Sequence, residues 1–170
     1  ETASIATNAS LTGHLVFSTL HTNDAPSAVA RLIDLGVQPF LVASSVRAVM
    51  AQRLVRRLCS NCKQPAELTD TELRALGIEH GQLLDAQVMR PVGCELCRHI
   101  GYKGRMGIFE IFVIDDEVRH MINKRTSTFI LRQRARELGM RTLREDGVRK
   151  VLSGLTSADE VISITVGDVS

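Results

Sequence analysis

The chain has no tryptophan and a single tyrosine, Tyr102, and aromatic residues make up 4% of its 170 positions. Single-stranded nucleic acid is held largely by stacking on aromatic rings, so that kind of surface is excluded. No apolar run approaches the roughly 20 residues of a membrane-spanning helix, and no charged-then-apolar leader opens the sequence. Neither sign of charge dominates. Lys and Arg total 21 against 19 Asp and Glu, a net charge of +2, which points away from a dedicated polyanion partner, although the basic residues are locally clustered. Internal repeats, low-complexity tracts and flexible linkers are missing, so the modules are expected to pack together. No G-x-x-x-x-G-K-S/T occurs, and with it goes any phosphate-cradling P-loop. There is no initiator methionine: Glu1 leads straight into a helical stretch ending near Gly13. That start reads as a chain cut from something longer.

Cysteine is scarce but ordered. All four stand in two C-x-x-C pairs, Cys59–Cys62 and Cys94–Cys97, separated by 31 residues. Two such pairs meeting in space place four thiolates at the corners of a tetrahedron, the coordination of structural zinc. Two disulfides are the competing reading, yet disulfide scaffolds are short and cysteine-dense, whereas this chain is 44% hydrophobic and can build its own core. A dithiol redox site is a further alternative, because thioredoxin-like sites share the C-x-x-C spacing. The spacer exceeds the ~15–20 residues of a simple zinc ribbon, so something folds between the pairs. A reducing, cytoplasmic compartment suits free thiolates.

The elements follow from local signals. His14–Leu20 is a short apolar run, suited to a strand buried on both faces of a parallel sheet. Asn23 is positioned to cap the next helix, with Pro26 in its first turn and Gly36 past its end. Pro39 begins a second helix, expected to run to about Leu58 and to carry Arg53, Arg56 and Arg57 in its last turns. Thr69 and Glu72 form a capping box for a helix stopped by Gly77. An apolar run from Ile108 to Ile114 reads as a strand returning to the first sheet. Asp115, Ser127, Thr142 and Thr156 then cap four helices expected to form a small bundle.

Thr12–Ala25, TGHLVFSTLHTNDA, places Ser18, Thr19, His21 and Thr22 at the carboxyl end of the expected strand. Ligands in open parallel sheets bind at that end, where a hydroxyl and an imidazole can meet a phosphate or a water. The bland alternative is that His14 and His21 simply end a core strand and bond to backbone. Three further blocks accompany this one: AQRLVRRLCSNCKQP (Ala51–Pro65), RPVGCELCRHIGYKGRMGIFEI (Arg90–Ile111) and MRTLREDGVRKVLSGLTSADEVISIT (Met140–Thr165). In this order they resemble the His box, the two halves of the tetracysteine module and the C-terminal helical end of the ATPases of bacterial type II secretion and type IV pilus assembly. The cysteines make the chain similar to the secretion E-type and pilus-extension members rather than to the retraction ATPases, which generally lack them.

The resemblance implies an α/β fold. Residues 1–58 would be the C-terminal part of a RecA-like P-loop ATPase core with its His box, 59–100 an inserted tetracysteine zinc module, and 101–170 a return strand with a C-terminal helical bundle. It implies structural Zn²⁺ on Cys59, Cys62, Cys94 and Cys97. It also implies ATP and Mg²⁺ in the full-length protein, with His21 as sensor of the terminal phosphate and Thr19, His21 and Arg105 beside the nucleotide. Lys103 shares the glycine-rich turn with Arg105, and a solvated turn is the plainer reading of both. Implied partners are five further copies in a hexamer and the inner-membrane platform of the secretion or pilus machine, with a cytoplasmic location against that membrane and no nucleic acid. Lacking both Walker segments, this stretch alone is expected not to hydrolyse ATP. The alternative from another class is a zinc-ribbon module that binds nucleic acid through Arg53, Arg56 and Arg57.

Overall fold

A computed structural model describes residues 1–166. The chain divides into two compact units. One comprises residues 1–51 and 110–140, the other 52–109 and 141–170.

In the first unit, helix α1 (Thr2–Leu11) is followed by residues 14–22, which have no regular structure. The strand expected over His14–Leu20 is not formed. Leu15 is 80% and Phe17 88% exposed. A strand requires its amides and carbonyls to be paired, and no neighbouring strand supplies partners among the described residues. Helix α2 (Ser27–Asp34) starts without the expected Asn23 cap. The Ser27 amide and hydroxyl both donate to the Asp24 carboxylate, at 2.9 and 2.8 Å, so the acidic neighbour takes that role.

Helix α3 (Pro39–Ser45) opens on proline, as expected, but stops after seven residues. The chain then becomes strand β1 (Ala48–Leu58), not the continuous helix that the apolar pattern suggested. Two local causes are visible. The hydroxyls of Ser44 and Ser45 donate back to the carbonyls of Phe40 and Leu41, a bonding that bends and ends helices. Beyond them Val46, Val49 and Val55 are β-branched and favour extended backbone. Strand β1 therefore carries the arginines on a strand. It pairs with β4 (Tyr102–Val113), in a two-stranded sheet, so the expected return strand exists with a different partner.

Between the cysteine pairs lie β2 (Gln64–Pro65), α4 (Asp70–Leu76) and β3 (Met89–Arg90). Strands β2 and β3 pair antiparallel, Gln64 opposite Arg90 and Pro65 opposite Met89. The Thr69–Glu72 capping box is present, and Gly77 ends α4 at φ 65°. After β4 come α5 (Asp116–Asn123), α6 (Thr128–Glu137), α7 (Leu143–Leu152) and α8 (Ala158–Ile164). Asp115, Ser127 and Thr142 cap the first three as expected. The last cap falls one residue later, on Ser157, whose hydroxyl accepts from the Glu160 amide. Thr156 is instead fully buried and donates to the Arg56 carbonyl at 2.8 Å.

These four helices are shared between two cores rather than gathered in a single bundle. In the first unit Val118 and Ile122 of α5 and Leu131 and Ala135 of α6 join Val29, Val42 and Phe112. In the second, Val148, Val151 and Val161 of α7 and α8 close over Leu73, Leu76 and Ile78 from α4 and its end. Among the described residues no helix is long and apolar enough to cross a membrane.

Candidate metal centre

Two tight turns bring the thiols together. Strand β1 ends at Leu58, and the Cys59 carbonyl then accepts from the amides of Cys62 and Lys63 at 3.3 and 3.0 Å. In the second turn the Cys94 carbonyl accepts from the amides of Cys97 and His99 at 3.1 and 2.9 Å. The two turns are joined where the Cys59 amide donates to the Gly101 carbonyl at 3.0 Å. Their sulfurs all lie within 4.8 Å of one another, and none is in a disulfide.

The spacing selects a ligand geometry. Zinc–sulfur bonds of about 2.3 Å in a tetrahedron put neighbouring sulfurs about 3.8 Å apart. Cys59–Cys94 is 3.9 Å, Cys62–Cys97 3.8 Å and Cys94–Cys97 3.8 Å. A disulfide would need sulfurs near 2.05 Å. Around the cluster, N–H groups point at sulfur: Gly93 to Cys62 at 3.3 Å, Cys94 to Cys97 at 3.2 Å and Gly101 to Cys97 at 3.3 Å. Such bonds stabilise negative charge on a thiolate. The Asn61 side-chain amide donates to Cys94 at 3.4 Å and draws its thiol down to about 6. Desolvation pushes Cys62 the other way, to about 11. Four gathered thiols with preset donors fit a soft, tetrahedral cation.

Two glycines make this packing possible. Gly93 sits at φ 119°, and a Cβ there would lie 2.7 Å from the His99 carbonyl oxygen. Gly101, at φ 77°, would place one 2.4 Å from the Pro91 Cβ. Neither glycine nor Asn61 figured among the expected site residues. Their signal in the sequence was only their place inside and beside the C-x-x-C pairs.

The other expected site residues are divided between the units. Thr19 and His21 are exposed on the irregular segment and make no hydrogen bond among the described residues. Arg105 is exposed on β4, in the other unit, without an ion pair among the described residues. Of the three arginines expected to cluster before Cys59, Arg56 has an ion-pair partner. Its guanidinium donates twice to Glu160, at 2.8 and 2.6 Å, its amide donates to the same carboxylate, and it lies 4.1 Å over the Tyr102 ring. This gives Arg56 a structural task.

The comparisons with known proteins bear out the family resemblance. A protein-family model described as type II/IV secretion system protein matches residues 1–163. Type II secretion system protein E of Aeromonas hydrophila is 50% identical over 99% of the chain, and the type IV pilus assembly ATPase PilB of Thermus thermophilus is 47% identical over 98%. The chain spans 33% and 19% of the length of these two relatives. Among solved structures, the pilus retraction motor PilT with bound ADP aligns over 96% of this chain and 36% of its own, with a TM-score of 0.61 at 20% identity. The ATPase DotB of Legionella pneumophila aligns over 98% and 36%, with a TM-score of 0.59 at 21% identity. At those identities the likeness is one of fold, and it confirms the α/β class shared with these ATPases. With about half its residues in common with a type II secretion system protein E and a type IV pilus assembly ATPase, and a family match from its first residue to residue 163, the chain belongs to the type II/IV secretion system protein family.

Proposed function

We propose that this chain is the zinc-bearing part of a motor ATPase that powers type II secretion or type IV pilus extension. The observation that carries the reading is the identity of about one half, over almost the whole chain, with a secretion E protein and a pilus assembly ATPase. The motor works as a hexamer in the cytoplasm, held against the inner membrane by the platform proteins of its machine. ATP and Mg²⁺ are bound mainly by residues outside this sequence, since the chain has no P-loop. His21 and Thr19 meet the terminal phosphate once the remainder of the core orders their segment, and Arg105 lies beside the nucleotide.

Cys59, Cys62, Cys94 and Cys97 hold Zn²⁺, supported by their sulfur spacing and by the amides aimed at them. The ion supplies cross-linking and no chemical step. Its task is to fix 59–101 so that β2, α4 and β3 fold between the two turns. Structural zinc sites contribute about 10–16 kcal/mol, enough to decide that folding.

The test uses a longer protein that contains this chain together with an upstream P-loop segment. It should hydrolyse ATP, His21→Ala should lose most of that activity with nucleotide binding retained, and this chain alone should have none. Hydrolysis by the isolated chain would overturn the division of labour. Metal analysis under reducing conditions should give one equivalent of zinc, and less than half an equivalent would remove the tetracysteine reading.

A further inference from the structure

The segment that carries Thr19 and His21 is irregular along its length and fixed at one end. Residues 14–22 have no regular structure, and His21 and Asn23 are exposed. Burial begins just after them: Ala25 is 0% exposed and belongs to the first core. The Ala25 amide precedes α2 and has no place in that helix's ladder. The Glu110 carboxylate accepts from it at 2.7 Å, and Glu110 is itself 5% exposed, on β4. One residue earlier, Asp24 accepts from the Arg132 guanidinium of α6 at 2.7 Å, while its carboxylate also takes the amide and hydroxyl of Ser27.

Starting α2 requires only the local bonds. A helix cap works through a neighbouring side chain, and Asp24 supplies it to Ser27. Glu110 and Arg132 add something else. They stand 85 and 108 residues along the chain from Ala25 and Asp24, on a strand and a helix whose buried Phe112 and Leu131 lie in the first core. A buried carboxylate is costly unless donors are fixed upon it, so a bond from Glu110 to a loop amide holds that loop firmly. Both residues thus tie the end of the His21 segment to the core. His21 lies three residues before Asp24, and three residues of chain span at most about 11 Å. The anchor therefore bounds where the imidazole can go.

We propose that Glu110 is a positioning residue for His21. Through the Ala25 amide, and with the Asp24–Arg132 pair beside it, Glu110 fixes the end from which the His21 segment extends. It thereby sets the distance at which the imidazole meets the nucleotide's terminal phosphate. Misplacing such a group by about 1 Å costs on the order of 100-fold in rate. The proposal rests on the reading of His21 as the residue that meets that phosphate.

The experiment measures ATP hydrolysis by the longer protein that contains this chain and its upstream P-loop segment. Glu110→Ala should lower kcat at least about tenfold, with KM for ATP changed by less than about twofold. Glu110→Gln keeps an oxygen for the Ala25 amide and should retain most of the rate. A double-mutant cycle separates positioning from plain loss of fold. In a His21→Ala background, Glu110→Ala should lower kcat by less than about twofold, since the group to be positioned is gone. Val118→Ala, at a fully buried residue of the same core on α5, should lower the melting temperature and keep the parent kcat. Should Glu110→Ala not fold, Asp24→Ala takes its place, at a side chain 16% exposed, with the same pattern expected. Losses that multiply in the cycle would overturn the positioning role, as would a parent-like kcat in Glu110→Ala or an equal fall in Val118→Ala. Activity retained by His21→Ala would instead overturn the phosphate reading, and the positioning with it.

Discussion

Glu160 illustrates how one side chain can anchor a region without touching any reacting group. It is 5% exposed, and its carboxylate takes three donors from Arg56. Burial alone would raise its pKa, but the guanidinium and the amide outweigh that and hold it below the ordinary range. A carboxyl depressed in the folded state contributes stability above its unfolded value, near 4.3, and loses that contribution as pH falls through the folded value. Glu160→Gln should therefore cost about 1.5–3 kcal/mol at neutral pH, with a smaller difference from the parent in acid. Urea unfolding at pH 7 and below pH 4 checks it, and an equal loss at both would refute the ionic account. At the metal site the residue to change is Asn61. Removing a group that orients a ligand typically costs 10–100-fold in metal affinity, and because Asn61 is exposed, Asn61→Ala should sit near the lower bound. Competition with a chromogenic chelator reads that directly. Gly101→Ala should be far worse. It forces a side chain into a left-handed backbone and onto Pro91, so the protein should lose at least 1–3 kcal/mol by thermal melting.

Elements were legible where a side chain declares a boundary. The capping boxes at Thr69 and Thr142 and the caps at Asp115 and Ser127 are local, and each is formed. Elements were illegible where the partner decides. Residues 48–58 have apolar spacing that suits a helix; the serine back-bonds end α3 locally, but the strand also needs β4, far along the chain, to pair with. His14–Leu20 is the converse, a good strand composition left without a ladder. That contrast has a consequence for stability. Leu15→Ser and Phe17→Ser remove side chains 80% and 88% exposed and should change the stability of this chain by less than about 0.5 kcal/mol. Phe112→Ala, at a residue 1% exposed in the first core, should cost about 3–5 kcal/mol. Chemical denaturation of the three variants separates the cases, and a large loss at Phe17 would mean that the segment packs after all.

At the scale of the whole molecule the cysteine pairs were the clearest signal in the sequence, and their reach was the least visible. Spacing alone announced four ligands, and the sulfurs do converge. It did not announce that α4, lying between the pairs, shares its core with α7 and α8. The backbone ties follow the same route: the Leu58 amide donates to Leu155, the Gln87 amide to Leu152 and the Lys63 ammonium to Gly154, all at the turn between α7 and α8. A metal held by Cys59, Cys62, Cys94 and Cys97 would therefore support residues far beyond the 59–100 stretch. Chelation under reducing conditions should strip hydrogen-exchange protection from α4, α7 and α8 together, because their apolar faces form one shared core. The core of Val29, Val42, Phe112 and Val118 draws only on residues 1–51 and 110–140, and its amides should keep their protection. Protection lost in α4 alone would confine the ion's influence to the segment it encloses, and protection lost evenly along the chain would mean that both cores depend on the four thiols.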